Sequence, residues 1–146
     1  MSKTIADLSN LIFSYYPHVR KTYRDLVSIK GIPISMTQLT CLSIIAKNDG
    51  LSMSQLADRL SMSNQQLTKV VDALVEFEMV ERVVSAKNRR KITASATQKG
   101  KDTLDKLQAE LDEKLGKRLR SISDDEIDKL YYSIQHVASY FGKLHK

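Results

Sequence analysis

Two Ser-x-x-Gln tetrads set eleven residues apart, Ser52-Met53-Ser54-Gln55 and Ser63-Asn64-Gln65-Gln66, constrain this chain more than any other feature. In each, the serine oxygen can take a free N–H at a helix start while the glutamine reaches back to the serine's own N–H. Each tetrad opens an apolar stripe at helical spacing: Leu56, Ala57 and Leu60 after the first, and Leu67, Val70, Val71 and Leu74 after the second. The first helix is therefore short, and Ser61-Met62-Ser63 is left as a tight connection. The pattern predicts a helix–turn–helix in which Asn64, Gln65, Gln66, Thr68 and Lys69 lie off the buried stripe of the second helix.

The flanking segments are also mostly helical in period. Residues 4–30 carry Ile5, Leu8, Ile12, Tyr15, Val19, Tyr23 and Leu26 at steps of three or four. Pro17 falls inside this run and is expected to kink the helix or split it near Phe13, before Gly31 and Pro33 end it. Ser35 opens a helix with Leu39, Leu42, Ile45 and Ala46 on its buried face. After the helix–turn–helix, residues 79–85 are β-branched and extended, residues 86–89 read as a turn, and residues 90–96 alternate with Ile92, Ala94 and Ala96 on one face. This is a hairpin. Thr97 then caps a long helix striped by Leu104, Leu107, Leu111, Leu115, Leu119 and Ile122. Ser123-Asp124-Asp125-Glu126 caps a last helix whose Ile127, Leu130, Ile134, Val137, Phe141 and Leu144 form a heptad-like seam.

Charge is concentrated in one place. Residues 82–101 hold seven Lys or Arg and no Asp or Glu, and without them the remaining 16 basic residues face 17 acidic ones. The whole net charge of +6 thus lies just after the helix–turn–helix. A helix fits the major groove of duplex DNA and meets base edges with its N-terminal residues, while a basic hairpin beside it can reach the minor groove or the phosphates. Ser63, Asn64, Gln65, Gln66, Thr68 and Lys69 are the candidate groove-facing residues, and Lys87, Arg89 and Arg90 the candidate wing contacts.

The same residues resemble the MarR-type winged-helix regulators over nearly the whole chain. Leu-Ala-Asp-Arg-Leu at 56–60 is similar to that family's short third helix and residues 63–74 to its recognition helix. Val80-Glu81-Arg82 is similar to the approach to its wing, Asn88-Arg89-Arg90 stands where the family has Asp-Arg-Arg, and Ala96-Thr97-Gln98-Lys99-Gly100 is similar to its Leu-Thr-x-x-Gly. Asn88 and Ser85 replace acids of the family pattern, Glu78 replaces a glycine that ends the recognition helix, and Ala96 replaces a leucine. The resemblance implies a homodimeric DNA-binding regulator, of a kind often released from DNA by small phenolic ligands or by thiol oxidation.

Other chemistry finds little footing. The single Cys41 excludes an internal disulfide framework and fits a reducing compartment, and its apolar neighbours Leu39, Leu42 and Ile45 favour a core role over redox sensing. His18, His136 and His145 lack ligand spacing, and no phosphate-binding loop or hydrolase motif is present, so neither a metal, a cofactor nor an enzyme activity is expected. No apolar run spans a bilayer, and a cytoplasmic protein is expected. Tyr15, Tyr16 and Tyr23 are candidates to line a pocket for a small aromatic effector, against a simpler role in packing between dimer helices.

The fold expected is mainly α with a small β-hairpin wing, a single domain over residues 1–146. Within it, residues 35–97 form the winged helix-turn-helix, and residues 4–34 and 98–146 supply dimerisation helices. The partners expected are double-stranded DNA and a second copy of the chain, with no membrane. The alternative is a winged-helix adaptor that binds acidic protein surfaces without reading DNA.

Overall fold

The computed structural model describes residues 2–27, 31, 33–48, 50–84 and 92–144. Its elements run α1 (Ile5–Val27), α2 (Met36–Lys47), α3 (Met53–Arg59), α4 (Asn64–Glu76), β1 (Val80–Val84), β2 (Ile92–Ala96), α5 (Gln98–Arg118) and α6 (Asp124–Leu144). They form two compact units, Met1–Glu110 and Leu111–Lys146.

The core of the first unit is where the apolar stripes meet. Cys41, Leu42 and Ile45 of α2, Leu56 and Ala57 of α3, and Leu67, Val71 and Leu74 of α4 pack with Met79, Val80, Ala94 and Ala96 of the hairpin root. Three reciprocal caps start α2, α3 and α4: Ser35 with Gln38, Ser52 with Gln55, and Ser63 with Gln66. Ser61 turns the chain between α3 and α4 at φ +50°, and the Met62 N–H donates to the Ala57 carbonyl at 3.0 Å. The hairpin is antiparallel, with Val80 opposite Ala96 and Val84 opposite Ile92. Ser52 adds an isolated bridge to Thr93. The expected inward alternation of β2 holds for Ala94 and Ala96, while Ile92, at the outer end of the pairing, is exposed. The expected turn at 86–89 lies outside the described residues.

Of the two outcomes expected at Pro17, a kink or a split, the split does not occur: α1 is a single helix of 23 residues. Proline lacks an N–H and its ring crowds the carbonyl four residues earlier, yet the hydrogen-bonded turns on either side carry the helix through it. Its start is fixed by Thr4 and Asp7: the Thr4 N–H and Oγ1 each donate to Asp7 Oδ2 at 2.9 Å, and the Asp7 N–H donates to Thr4 Oγ1 at 3.2 Å. Only Val27 of this helix is buried, and Leu8, Ile12, Tyr15, Tyr16, Val19 and Tyr23 are exposed.

In the second unit, Leu111, Leu115, Leu119 and Ile122 are half-buried. Ser123 caps α6 with Glu126: the Ser123 N–H donates to Glu126 Oε2 at 3.1 Å and the Glu126 N–H to Ser123 Oγ at 3.4 Å. The α6 seam is apolar yet exposed, with Leu130, Ile134 and Val137 at 46%, 61% and 54%.

Candidate nucleic-acid interface

Helix α4 is anchored by Leu67, Val71 and Leu74, all fully buried, so its opposite face is held on a packed support. Asn64, Gln65, Gln66, Thr68 and Lys69 are exposed there, as expected from their positions off the stripe. Their side chains are not equivalent. The Ser63 N–H donates to Gln66 Oε1 at 3.0 Å, the Ser63 hydroxyl donates to the same oxygen at 3.2 Å, and the Gln66 N–H donates to Ser63 Oγ at 3.2 Å. The Thr68 hydroxyl donates to the Asn64 carbonyl at 2.8 Å. Ser63, Gln66 and Thr68 therefore hold the helix start together. Among the described residues, the side chains of Asn64, Gln65 and Lys69 have no partner.

The hairpin is tied to the helix at its root. Arg82 of β1 pairs with Asp72 of α4, and the Thr93 hydroxyl donates to the Val83 carbonyl at 3.2 Å. The sequence pattern did not reveal Asp72, because its partner lies on another element and neither residue breaks the periodicity of its own. Lys87, Arg89 and Arg90, the expected wing contacts, lie outside the described residues, as do Ser85 and Asn88.

A second junction joins the end of α4 to the start of α5. Glu78 sits at φ +59°, where the resemblance placed a glycine. Its carbonyl accepts from the Thr97 hydroxyl at 2.6 Å, and its carboxylate pairs with Lys99 at 2.9 Å. That hydrogen bond, and then the lysine's charge, hold the Glu78 carboxyl below the usual carboxylate range. The Thr97 N–H donates to the Met79 carbonyl at 3.1 Å, and Thr97 Oγ1 accepts from the Gly100 N–H at 3.1 Å, which is the cap expected for this helix.

Cys41 is fully buried, and burial pushes its thiol up to about 11. A thiol so raised is a poor nucleophile at neutral pH. His18 lies beside Tyr15 with ring centroids 6.2 Å apart, and His136 beside Tyr140 at 5.3 Å. Among the described residues no three His, Cys, Asp or Glu side chains converge as a metal site, and no helix is long and apolar enough to cross a membrane.

A buried three-helix core, a capped second helix with polar outward residues and a paired hairpin behind it define a winged helix-turn-helix. Residues 34–92 match the model of the MarR family. The HTH-type transcriptional regulator YpoP of Bacillus subtilis is 26% identical over 124 residues, covering 85% of this chain and 86% of that protein. The crystal structure of RV1404 from Mycobacterium tuberculosis superposes with a TM-score of 0.81 at 15% identity, covering 97% of each chain. The crystal structure of MarR superposes with a TM-score of 0.76 at 16% identity, covering 90% of this chain and 98% of that one. The likeness to the MarR family is thus carried by residues 34–92, and the solved structures share the fold over nearly the whole chain.

Proposed function

We propose that this chain acts as a homodimeric repressor that binds a pseudo-palindromic duplex operator. The observation that carries the reading is the first turns of α4, where Asn64, Gln65 and Lys69 stand exposed, without a partner among the described residues, on a fully packed support. Ser63, Gln66 and Thr68 hold that surface in shape, and it enters the major groove. Lys87, Arg89 and Arg90 contact the minor groove or the phosphates. The apolar faces of α1 and α6, exposed on the single chain, support association of two copies. Dimerisation fixes the separation of the two reading helices. A small aromatic effector bound near Tyr15, Tyr16 and Tyr23 would release the operator by changing that separation, because both half-sites could then no longer be met together.

The test is a titration of labelled duplex DNA against salt. With roughly six to ten phosphates neutralised by the dimer, affinity should fall about 10³- to 10⁵-fold between 50 and 200 mM salt. A flat response, with binding to acidic proteins instead, would favour the adaptor reading.

A further inference from the structure

We infer that Gln65 and Lys69 are the specificity-determining pair of this protein, and that each operator half-site carries an adenine read by Gln65 and a guanine read by Lys69. The inference rests on the DNA-binding reading above and names which residues of α4 do the reading.

Three observations on α4 lead to it. The first is spacing. Gln65, Lys69, Asp72 and Glu76 follow one another at steps of four, three and four, so they form one line down the face opposite Leu67, Val71 and Leu74. Whatever lies against the centre of that face meets these four side chains first.

The second is charge along the line. Its N-terminal half is an amide and a cation, and its C-terminal half is two carboxylates. Arg82 offsets Asp72, whereas Glu76 is exposed and has no partner among the described residues. A phosphate backbone repels a carboxylate and attracts an ammonium. The helix therefore approaches DNA by its N-terminal half, with the Glu76 end held away, and the bases within reach are those facing Gln65 and Lys69.

The third is hydrogen-bonding capacity. Gln66, beside Gln65 in sequence and identical in chemistry, has its carbonyl oxygen held by Ser63 at 3.0 and 3.2 Å. It cannot present an amide donor and acceptor together to one base. Among the described residues neither the amide oxygen nor the amide nitrogen of Gln65 has a partner. A glutamine amide pairs in the major groove with N6 and N7 of adenine, and a lysine ammonium with O6 and N7 of guanine. One turn of helix separates the two side chains by about 6 Å along the axis. Successive bases on a strand lie about 3.4 Å apart, so the two reads fall on base pairs one or two steps apart.

The experiment is selection of bound sequences from a random duplex pool by the full-length chain and by Gln65→Glu, Lys69→Ala and Gln66→Ala, each checked for an unchanged melting temperature. The wild type should return half-sites with an adenine and a guanine one or two steps apart. Gln65→Glu should exchange that adenine for cytosine, whose amino group suits a carboxylate. Lys69→Ala should relax the guanine by about 5- to 150-fold in discrimination. Gln66→Ala should leave the motif as it is. A wild-type motif that neither Gln65→Glu nor Lys69→Ala alters at any base would overturn the assignment while leaving DNA reading intact. So would a motif relaxed by Gln66→Ala. A wild type that enriches no sequence at all would overturn the assignment together with the reading beneath it.

Discussion

Gly100 and Cys41 show how single positions carry the fold. A Cβ on Gly100 would stand 2.2 Å from the Met79 carbonyl oxygen and 3.1 Å from Leu42 Cδ1. That carbonyl is backbone, and the Thr97 N–H already holds it, so it cannot step aside. Gly100→Ala should lower stability by about 1–3 kcal/mol in urea denaturation; an unchanged midpoint would mean that α5 starts elsewhere. Cys41 gives a chemical counterpart. Its thiol is raised from 9.0 to about 11 by burial, so the folded state keeps its proton at pH values where the unfolded chain begins to lose it. The sign follows: this group costs no stability at neutral pH and destabilises the fold as pH rises above its ordinary value. Alkylation at pH 8 should be at least roughly 100-fold slower in native buffer than in urea, from the smaller thiolate fraction alone. Equal rates would reopen the thiol as a sensor. The burial of Cys41 was legible in its apolar neighbours. The Lys99–Glu78 pair was not, since 21 residues separate the partners and only the fold brings them together.

At the scale of elements, the helix starts were the most legible part of the structure. A cap is local: four residues contain both donors and both acceptors, and the tetrads at Ser52, Ser63 and Ser123 appear where the sequence put them. Pro17 does not interrupt α1, because the hydrogen-bonded turns on either side of it propagate the helix past one missing bond. The Asp72–Arg82 tie was invisible because it joins two elements whose relative placement only the packed core decides. The outward polar face of α4 was legible as a set of five residues, and the tetrad already tied Gln66 to Ser63, but the bond of the Thr68 hydroxyl to the Asn64 carbonyl was not foreseen. Gln65 and Gln66 share one chemistry but sit at different positions, and only Gln66 closes the cap with Ser63. Ser63→Ala removes the cap beneath that surface and should cost about 1 kcal/mol of stability. Thermal denaturation checks it. Weaker DNA binding should accompany the loss, with the preferred sequence unchanged, because the Ser63 N–H and hydroxyl are both engaged with Gln66. A changed preference would place Ser63 among the readers.

At the scale of the molecule, the proposed dimer depends on faces that the single chain leaves open. The periodicity of α1 and α6 marked their apolar stripes in the sequence, and in the structure those stripes are exposed instead of packed. Periodicity reports that a face needs cover and cannot name what covers it. Replacing Leu130 and Ile134 by glutamate should give monomers, or an unfolded chain if the single copy is not stable alone. In the folded case operator affinity should fall by about 10²- to 10⁴-fold, because the two half-site contacts are no longer linked. The most direct measurement is the mass of the protein, alone and on a selected duplex, by light scattering at micromolar concentration. A homodimer has twice 16.6 kDa when free and places two chains on one duplex, and this is the expected result. A free mass of 16.6 kDa with one chain per duplex would contradict it.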